Sequence, residues 1–185
     1  MAGLLSISIP AAADDKIKVV ASFSILGDMV RQVTGNLAEV TTIVGPDADA
    51  HVYTPNAADA KSVANADVIF VNGLGFETWL QTLIETSSSK AKVFVATDGI
   101  TPLKVDGEID PHAWNSLVNG MQYVDNIAVS MAEINPINAV AYKANARAYN
   151  RRLKDLNNRA IGQLERLTTG QRIVVTSHDA FGYLA

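Results

Sequence analysis

Asp67-Val68-Ile69-Phe70-Val71-Asn72 is apolar without a break between two polar ends. A strand with one face in water alternates apolar and polar residues, so an uninterrupted β-rich run reads as a strand covered on both faces, the kind found in parallel sheets. Upstream, Ile17–Ser22 reads as a first strand and Val40–Val44, β-branched, as a second. Between them Ser24–Thr34 has the spacing of a helix, with Ile25, Leu26, Met29, Val30 and Val33 on one face and Gly35 as its stop. The loop 45–53 follows. Thr54 is the expected N-cap, with Pro55 at the first helical position, of a short alanine-rich helix to about Asn65.

Downstream of the central run, Phe76–Glu85 reads as a helix with Phe76, Trp79, Leu80, Leu83 and Ile84 facing inward. Ser87-Ser88-Ser89 turns the chain into a strand over Lys92–Thr97, and 98–108 reads as loop. Gly73-Leu74-Gly75 lacks the third glycine and the acidic partner of a dinucleotide-binding loop, so it carries no nucleotide assignment. Strands alternating with helices make the expected class α/β: a parallel-sheet lobe with flanking helices. Leu117–Ile134 adds an amphipathic helix, with Leu117, Met121, Val124, Ala128 and Met131 at helical spacing and Asn115 or Ser116 as its cap.

Asn135-Pro136 then opens a helical pattern with no strong breaker until near Thr168, about 48 Å if continuous at about 1.5 Å per residue. Its seam is Ala139, Tyr142, Ala146, Tyr149, Leu153, Leu156, Ala160, Leu164 and Leu167, and Gly162 is its weak point. Seven of the chain's 15 basic residues lie on it: Lys143, Arg147, Arg151, Arg152, Lys154, Arg159 and Arg166. That face lacks the aromatics that stack on bases, and a formal net charge of −4 argues against a general nucleic-acid binder.

A chain of 185 residues with 48% hydrophobic and 18% charged residues can bury a substantial core and is not of disordered composition. The absence of cysteine excludes thiolate metal sites, disulfides and a lipid-modified cysteine within these residues. No apolar run approaches the roughly 20 residues of a membrane-spanning helix. Residues 3–10 are apolar with small residues and Ala11-Ala12-Ala13 has the small-residue character of a signal-peptidase site, although no positive segment precedes it. Residues 1–16 are therefore expected to be a signal remnant or an ordered tail, in which Leu5, Ile7 and Ile9 alternate with polar residues and Pro10 as on an edge strand.

The chain has three histidines, and each sits in a loop at or soon after a strand-like run. His112 lies in Ile109-Asp110-Pro111-His112-Ala113-Trp114-Asn115, where Pro111 fixes its own φ and keeps Asp110 extended, so the imidazole sits on a stiff bend before a helix. His51 lies in Asp47-Ala48-Asp49-Ala50-His51-Val52-Tyr53-Thr54-Pro55. His178 lies in Thr176-Ser177-His178-Asp179-Ala180-Phe181-Gly182 after the apolar run 173–175. In α/β folds ligands bind beyond the carboxyl ends of the strands, and imidazole is the commonest transition-metal ligand, so three such loops point to one metal site. The competing reading is three unrelated polar loop residues.

At these segments the sequence resembles the zinc/manganese solute-binding proteins of bacterial ABC importers. Asp49-Ala50-His51-Val52-Tyr53-Thr54-Pro55, Asp110-Pro111-His112-Ala113-Trp114 and Thr176-Ser177-His178-Asp179-Ala180-Phe181-Gly182-Tyr183 look like the three metal-ligand segments of that family, in order, and the likeness extends over Ile17–Gly35 and Asp67–Trp79. The resemblance implies that His51, His112 and His178 ligate a zinc or manganese ion as transported cargo, that the partner is an ABC-importer membrane permease, and that the protein is periplasmic. It implies an organisation of 17–135 as an N-terminal metal-binding lobe, 136–168 as a connecting helix and 169–185 as the beginning of a second α/β lobe, incomplete here, with 172–177 as its first strand. A fourth ligand, a carboxylate of that lobe, has no counterpart in these residues.

Asp110 and Asp179 adjoin histidines and are candidates to accept hydrogen bonds from them, while Asp47 and Asp49 add negative potential near His51. Three nitrogens and a carboxylate suit zinc, but the histidine- and acid-rich insertion of many dedicated zinc members is missing, so both metals stand. The main alternative is a zinc-dependent hydrolase using a three-histidine site, with Asp110, Asp179 or Glu108 as base. Consecutive Ser177-His178-Asp179 is not a nucleophilic triad, since triads are assembled in space. A metal-independent adhesin or interaction module would leave the histidines unexplained.

Overall fold

The computed structural model describes residues 16–171, 173, 175, 176 and 178–184. The expected signal remnant or tail, 1–15 of its sixteen residues, lies outside them.

Four strands form one parallel sheet in the order β2-β1-β3-β4: β1 (Ile17–Phe23), β2 (Ala38–Val44), β3 (Val68–Val71) and β4 (Lys92–Val95). Register pairs Val19 with Val40 on one side of β1 and with Val68 on the other. Because β2 lies on one side of β1 and β3 on the other, the chain reverses its winding direction between β1 and β3. That topological switch opens a crevice beyond their carboxyl ends, where Phe23 and Asn72 stand.

Helix α1 (Ser24–Thr34) has the expected bounds, and Gly35, at φ +55°, ends it. Leu26, Met29, Val30 and Val33 are buried, but Ile25 is 42% exposed: it stands at the mouth of the crevice and not on the core face expected for it. Helix α2 (Ala57–Ala64) begins later than the Thr54-Pro55 signal suggested. Asn56 is its N-cap; its side chain accepts from the Ala58 and Asp59 amides, and Asp59 returns the bond to the Asn56 amide. That reciprocal box outcompetes a lone threonine cap.

Helix α3 (Thr78–Thr86) also starts late, because Gly73, Leu74 and Gly75 all adopt positive φ and carry the chain out of β3 before any helix can form. Phe76 is thereby left in the loop, buried under the crevice. The stretch 98–108, expected as loop, contains the hairpin β5 (Lys104–Val105) and β6 (Glu108–Ile109), and its turn residues Asp106 and Gly107 stand at φ +50° and +91°. Asp-Gly is the preferred pair for such a two-residue turn.

Helix α4 (Leu117–Ile134) is capped by the Ser116 hydroxyl, which accepts from the Asn119 amide. After a single 3₁₀ turn at Pro136–Asn138, α5 (Ala139–Leu164) runs 26 residues, about 39 Å. It lies on α1 and α4, with Tyr142, Ala146 and Leu153 buried and Asn145 donating to the Val33 carbonyl at 2.9 Å. The apolar seam is covered only as far as Leu153: Leu156 and Leu164 are 43% exposed. Of the strand expected over 172–177, some residues lie outside those described; Ile173, Val175 and Thr176 are in no strand.

Asn72 joins these layers at the end of β3. It is fully buried; its side-chain amide donates to the carbonyls of Gly73 and Pro111, and its side-chain oxygen accepts from Tyr123 of α4. Its carbonyl accepts from Thr97 beyond β4. Asn72→Ala strands the Tyr123 hydroxyl and the Pro111 carbonyl in the interior, and each buried group left unpaired costs about 1–3 kcal/mol. Urea unfolding is expected to show a loss of about 2–4 kcal/mol at unchanged m, where a loss below about 1 kcal/mol would mean that water replaces the amide.

Candidate metal centre

Each histidine is held by a different device. His51 follows β2 in a loop where Asp49 Oδ1 accepts its backbone N–H at 2.9 Å, and Trp79 of α3 clamps the preceding carbonyl, its indole N–H donating to Ala50 O at 2.7 Å. His112 is buried and bound twice by one oxygen: Asp110 Oδ1 accepts its backbone N–H at 2.9 Å and its Nδ1 at 2.7 Å. A carboxylate only accepts, so the Nδ1 carries the hydrogen and the Nε2 lone pair is turned outward. His178 is exposed, and the backbone two residues on is held by Asn115, whose amide donates to Ala180 O at 2.6 Å.

The three rings converge. Nε2 of His112 lies 3.0 Å from Nε2 of His51 and 3.4 Å from Nε2 of His178, and one ring nitrogen of each falls within 4.8 Å of the others. On a tetrahedral zinc ion, with Zn–N of about 2.0–2.1 Å, ligand nitrogens stand roughly 3.3–3.4 Å apart. The His112–His178 pair meets that spacing and the His51–His112 pair is slightly closer.

Aromatic rings floor the cluster. Phe76 lies edge-on to His51 with centroids 4.6 Å apart, Trp114 lies 4.8 Å from Phe76, and Phe23 touches both. The floor sits at the switch between β1 and β3 and opens into a cleft of about 640 Å³. Below it Glu77 accepts from Ser22 of β1 and from the amides of Asn72 and Gly73, tying β1 to the end of β3. Burial pushes its carboxyl pKa up, against the pull of those donors.

The electrostatics suit a cation. Asp110 is 6% exposed, and its Oδ2 has no hydrogen-bond partner among the described residues. A buried carboxylate oxygen left unpaired is costly unless positive charge stands nearby, and the histidine cluster is where such charge would sit. Partial burial and the neighbouring His112 and His178 lower the His51 pKa, with Asp49 opposing them.

All three sequence-predicted histidines are therefore brought together. Of the two candidate acceptors Asp110 takes the role, whereas Asp179 is exposed and accepts no hydrogen bond among the described residues. Sequence reasoning gave no role to Asn72, Glu77 or Tyr183, nor to Trp79 beyond packing. The one available signal was a polar residue ending an otherwise apolar strand, at Asn72.

The model of the family described as zinc-uptake complex component A, periplasmic, matches residues 19–185. Among curated relatives, the manganese-binding lipoprotein MntA of Halalkalibacterium halodurans is 40% identical over 168 residues, 90% of this chain and 56% of that protein. The iron-binding protein YfeA of Yersinia pestis is 36% identical, over 95% of this chain and 58% of that protein. This chain thus spans a little over half the length of these relatives. Among solved structures, the Mn-bound periplasmic metal binding protein from Candidatus Liberibacter asiaticus superposes with a TM-score of 0.84 at 36% identity, covering 92% of this chain and 65% of that one. Zn(II)-bound AdcA from Streptococcus pneumoniae gives 0.81 at 30% identity, covering 91% of this chain and 37% of that one.

The lowered His51 pKa has a measurable sign. Below 6.5 the unfolded chain binds a proton at this imidazole that the folded chain does not, so stability is fully present above 6.5 and is lost as pH falls from there through the lower folded value. With a chelator present, an NMR titration of the His51 ring is expected to give a midpoint below 6.5. His112→Ala should move it back toward that value by removing one of the repelling rings.

Proposed function

The chain belongs to the zinc-uptake complex component A family, and on that premise we propose that it is an extracytoplasmic solute-binding protein that captures a divalent transition metal at His51, His112 and His178 and delivers it to the membrane permease of an ABC importer. The observation that carries this reading is the convergence of three ring nitrogens within 4.8 Å over a buried carboxylate. The ion is zinc or manganese as cargo. Nitrogen donors favour zinc, while relatives named for manganese and iron support a site of broader tolerance. Three imidazoles leave at least one coordination position facing the cleft for a carboxylate or water.

Imidazole binds a metal only when neutral, so metal and protons compete for the same lone pairs. The low His51 pKa extends capture to lower pH than a solvent-exposed histidine would permit. Residues 17–135 serve as the metal-binding lobe, 136–168 as the connecting segment, helical over Ala139–Leu164 and not over the whole stretch expected, and 169–185 as the start of a second lobe. Relatives named as periplasmic or as lipoproteins support an exported protein; the lipoproteins among them give no support to reading the lack of cysteine in these residues as the lack of a lipid anchor. The hydrolase alternative gains nothing from the comparisons, whose named members are binding proteins.

His112→Ala is expected to weaken zinc and manganese binding by at least about 100-fold in calorimetric titration with the far-ultraviolet spectrum unchanged, since it removes a ligand and the ring N–H that Asp110 accepts while keeping the backbone N–H bond to the same oxygen. Unaltered affinity would overturn the assignment. Esterase or phosphatase turnover with added zinc that disappears in the same variant would favour the enzyme instead.

A further inference from the structure

The placement of His178 is not explained by its own neighbourhood. Ile173 and Val175 before it are 76% and 92% exposed, and no strand among the described residues leads into it. Its Nε2 nevertheless stands 3.4 Å from that of His112. What fixes it lies on the far side, in the 3₁₀ turn Gly182–Leu184 that ends the described chain, closed by the Leu184 amide on Phe181 O.

That turn presents Tyr183, a buried ring whose hydroxyl donates to Asp110 O at 2.9 Å and accepts from the Leu103 amide at 2.8 Å. Leu103 O in turn accepts from the Asp110 amide, so one hydroxyl is bonded to the two residues that flank the β5–β6 hairpin, just before β5 and just after β6. Gly182 packs against the same aspartate so closely that an added Cβ would meet Asp110 Oδ2 at 3.0 Å. Asn115, three residues beyond His112, holds Ala180 O. The segment carrying His178 is thus docked on the segment carrying His112 on both sides of Phe181, through Ala180 before it and Gly182 and Tyr183 after it.

We propose that Tyr183 is a positioning residue for metal capture: it latches the His178 segment onto the Asp110–His112 loop, so that the third imidazole belongs to the same rigid unit as the other two. This rests on the metal-binding reading above. A phenol supplies one donor and one acceptor, and both are spent on backbone groups of the partner segment. A phenylalanine keeps the ring packing and removes only the latch.

The test is a double-mutant cycle with zinc in this chain, by competition against a chromophoric chelator. Tyr183→Phe is expected to weaken zinc binding about tenfold or more when His178 is present, in the range found for groups that orient metal ligands, and less than about twofold when His178 is already alanine. Equal losses in both backgrounds would mean that Tyr183 acts through His112 or the fold, and no loss with His178 present would mean that no latch is needed; either result overturns the proposal. Amide hydrogen exchange supplies a readout independent of metal. In Tyr183→Phe the amides of Leu103 and of 178–184 should exchange faster while those of β1 and β3 do not change; unaltered exchange at Leu103 and 178–184 would overturn the latch by itself. A chain that binds neither zinc nor manganese would sink the functional reading, and the exchange measurement would still decide the latch.

Discussion

The grip of Asp110 on His112 is the constraint around which the rest of the structure is arranged. One carboxylate oxygen takes both the backbone and the ring N–H of the residue two positions on, which fixes tautomer, ring direction and loop at once. A buried carboxylate is tolerated only where its surroundings are equally fixed. Here they are. The Asp110 amide is bound by Leu103 O, its carbonyl accepts from Tyr183, the Pro111 carbonyl accepts from Asn72, and Pro111 has no N–H to satisfy. The loop has no slack at any backbone polar group from Asp110 through the His112 amide, although it belongs to no regular element.

The sheet topology decides where that rigidity is used. Reversal of winding between β1 and β3 leaves a gap above Phe23 and Asn72, and Phe76 and Trp114 fill its floor. An apolar floor keeps water from the lower side of the rings and strengthens whatever electrostatic attraction the cluster exerts. Glu77 closes the gap from below by binding β1 and the end of β3 together. The same carboxylate that would be awkward in a core serves here as a bolt between two strands whose separation sets the width of the site.

What the sequence made legible was local. The bounds of α1 and α4 follow from caps, a terminal glycine and helical spacing, and each of the three histidine segments carries its own Pro, Asp or strand-end signal. Failures came where two local signals competed or where the partner was distant. Thr54-Pro55 and Asn56 are both good helix starts, and only Asp59, three residues past Asn56, settles the choice through the reciprocal cap. The β5–β6 hairpin is signalled in the sequence by Asp106-Gly107 alone, because strands of two residues carry no alternating pattern. Asn72 bonds to residues 39 and 51 positions away, and Tyr183 to residues 73 and 80 away. No pattern of period 2 or 3.6 encodes such pairs.

The three ligand candidates differ in how firmly they are held, and the difference has a consequence on the functional reading proposed here. His112 is buried and bonded at ring and backbone; His51 is half-buried, with its own amide and the carbonyl before it fixed; His178 is exposed and steadied through residues two and five positions on. A site with every ligand as fixed as His112 would hold its ion tightly and surrender it slowly, because dissociation would require the whole loop to yield. A site with none fixed would lose affinity to the entropy of ordering three side chains. Grading the anchors lets two nitrogens define the position of the ion while the third, at the open side of the cleft, sets how long it stays.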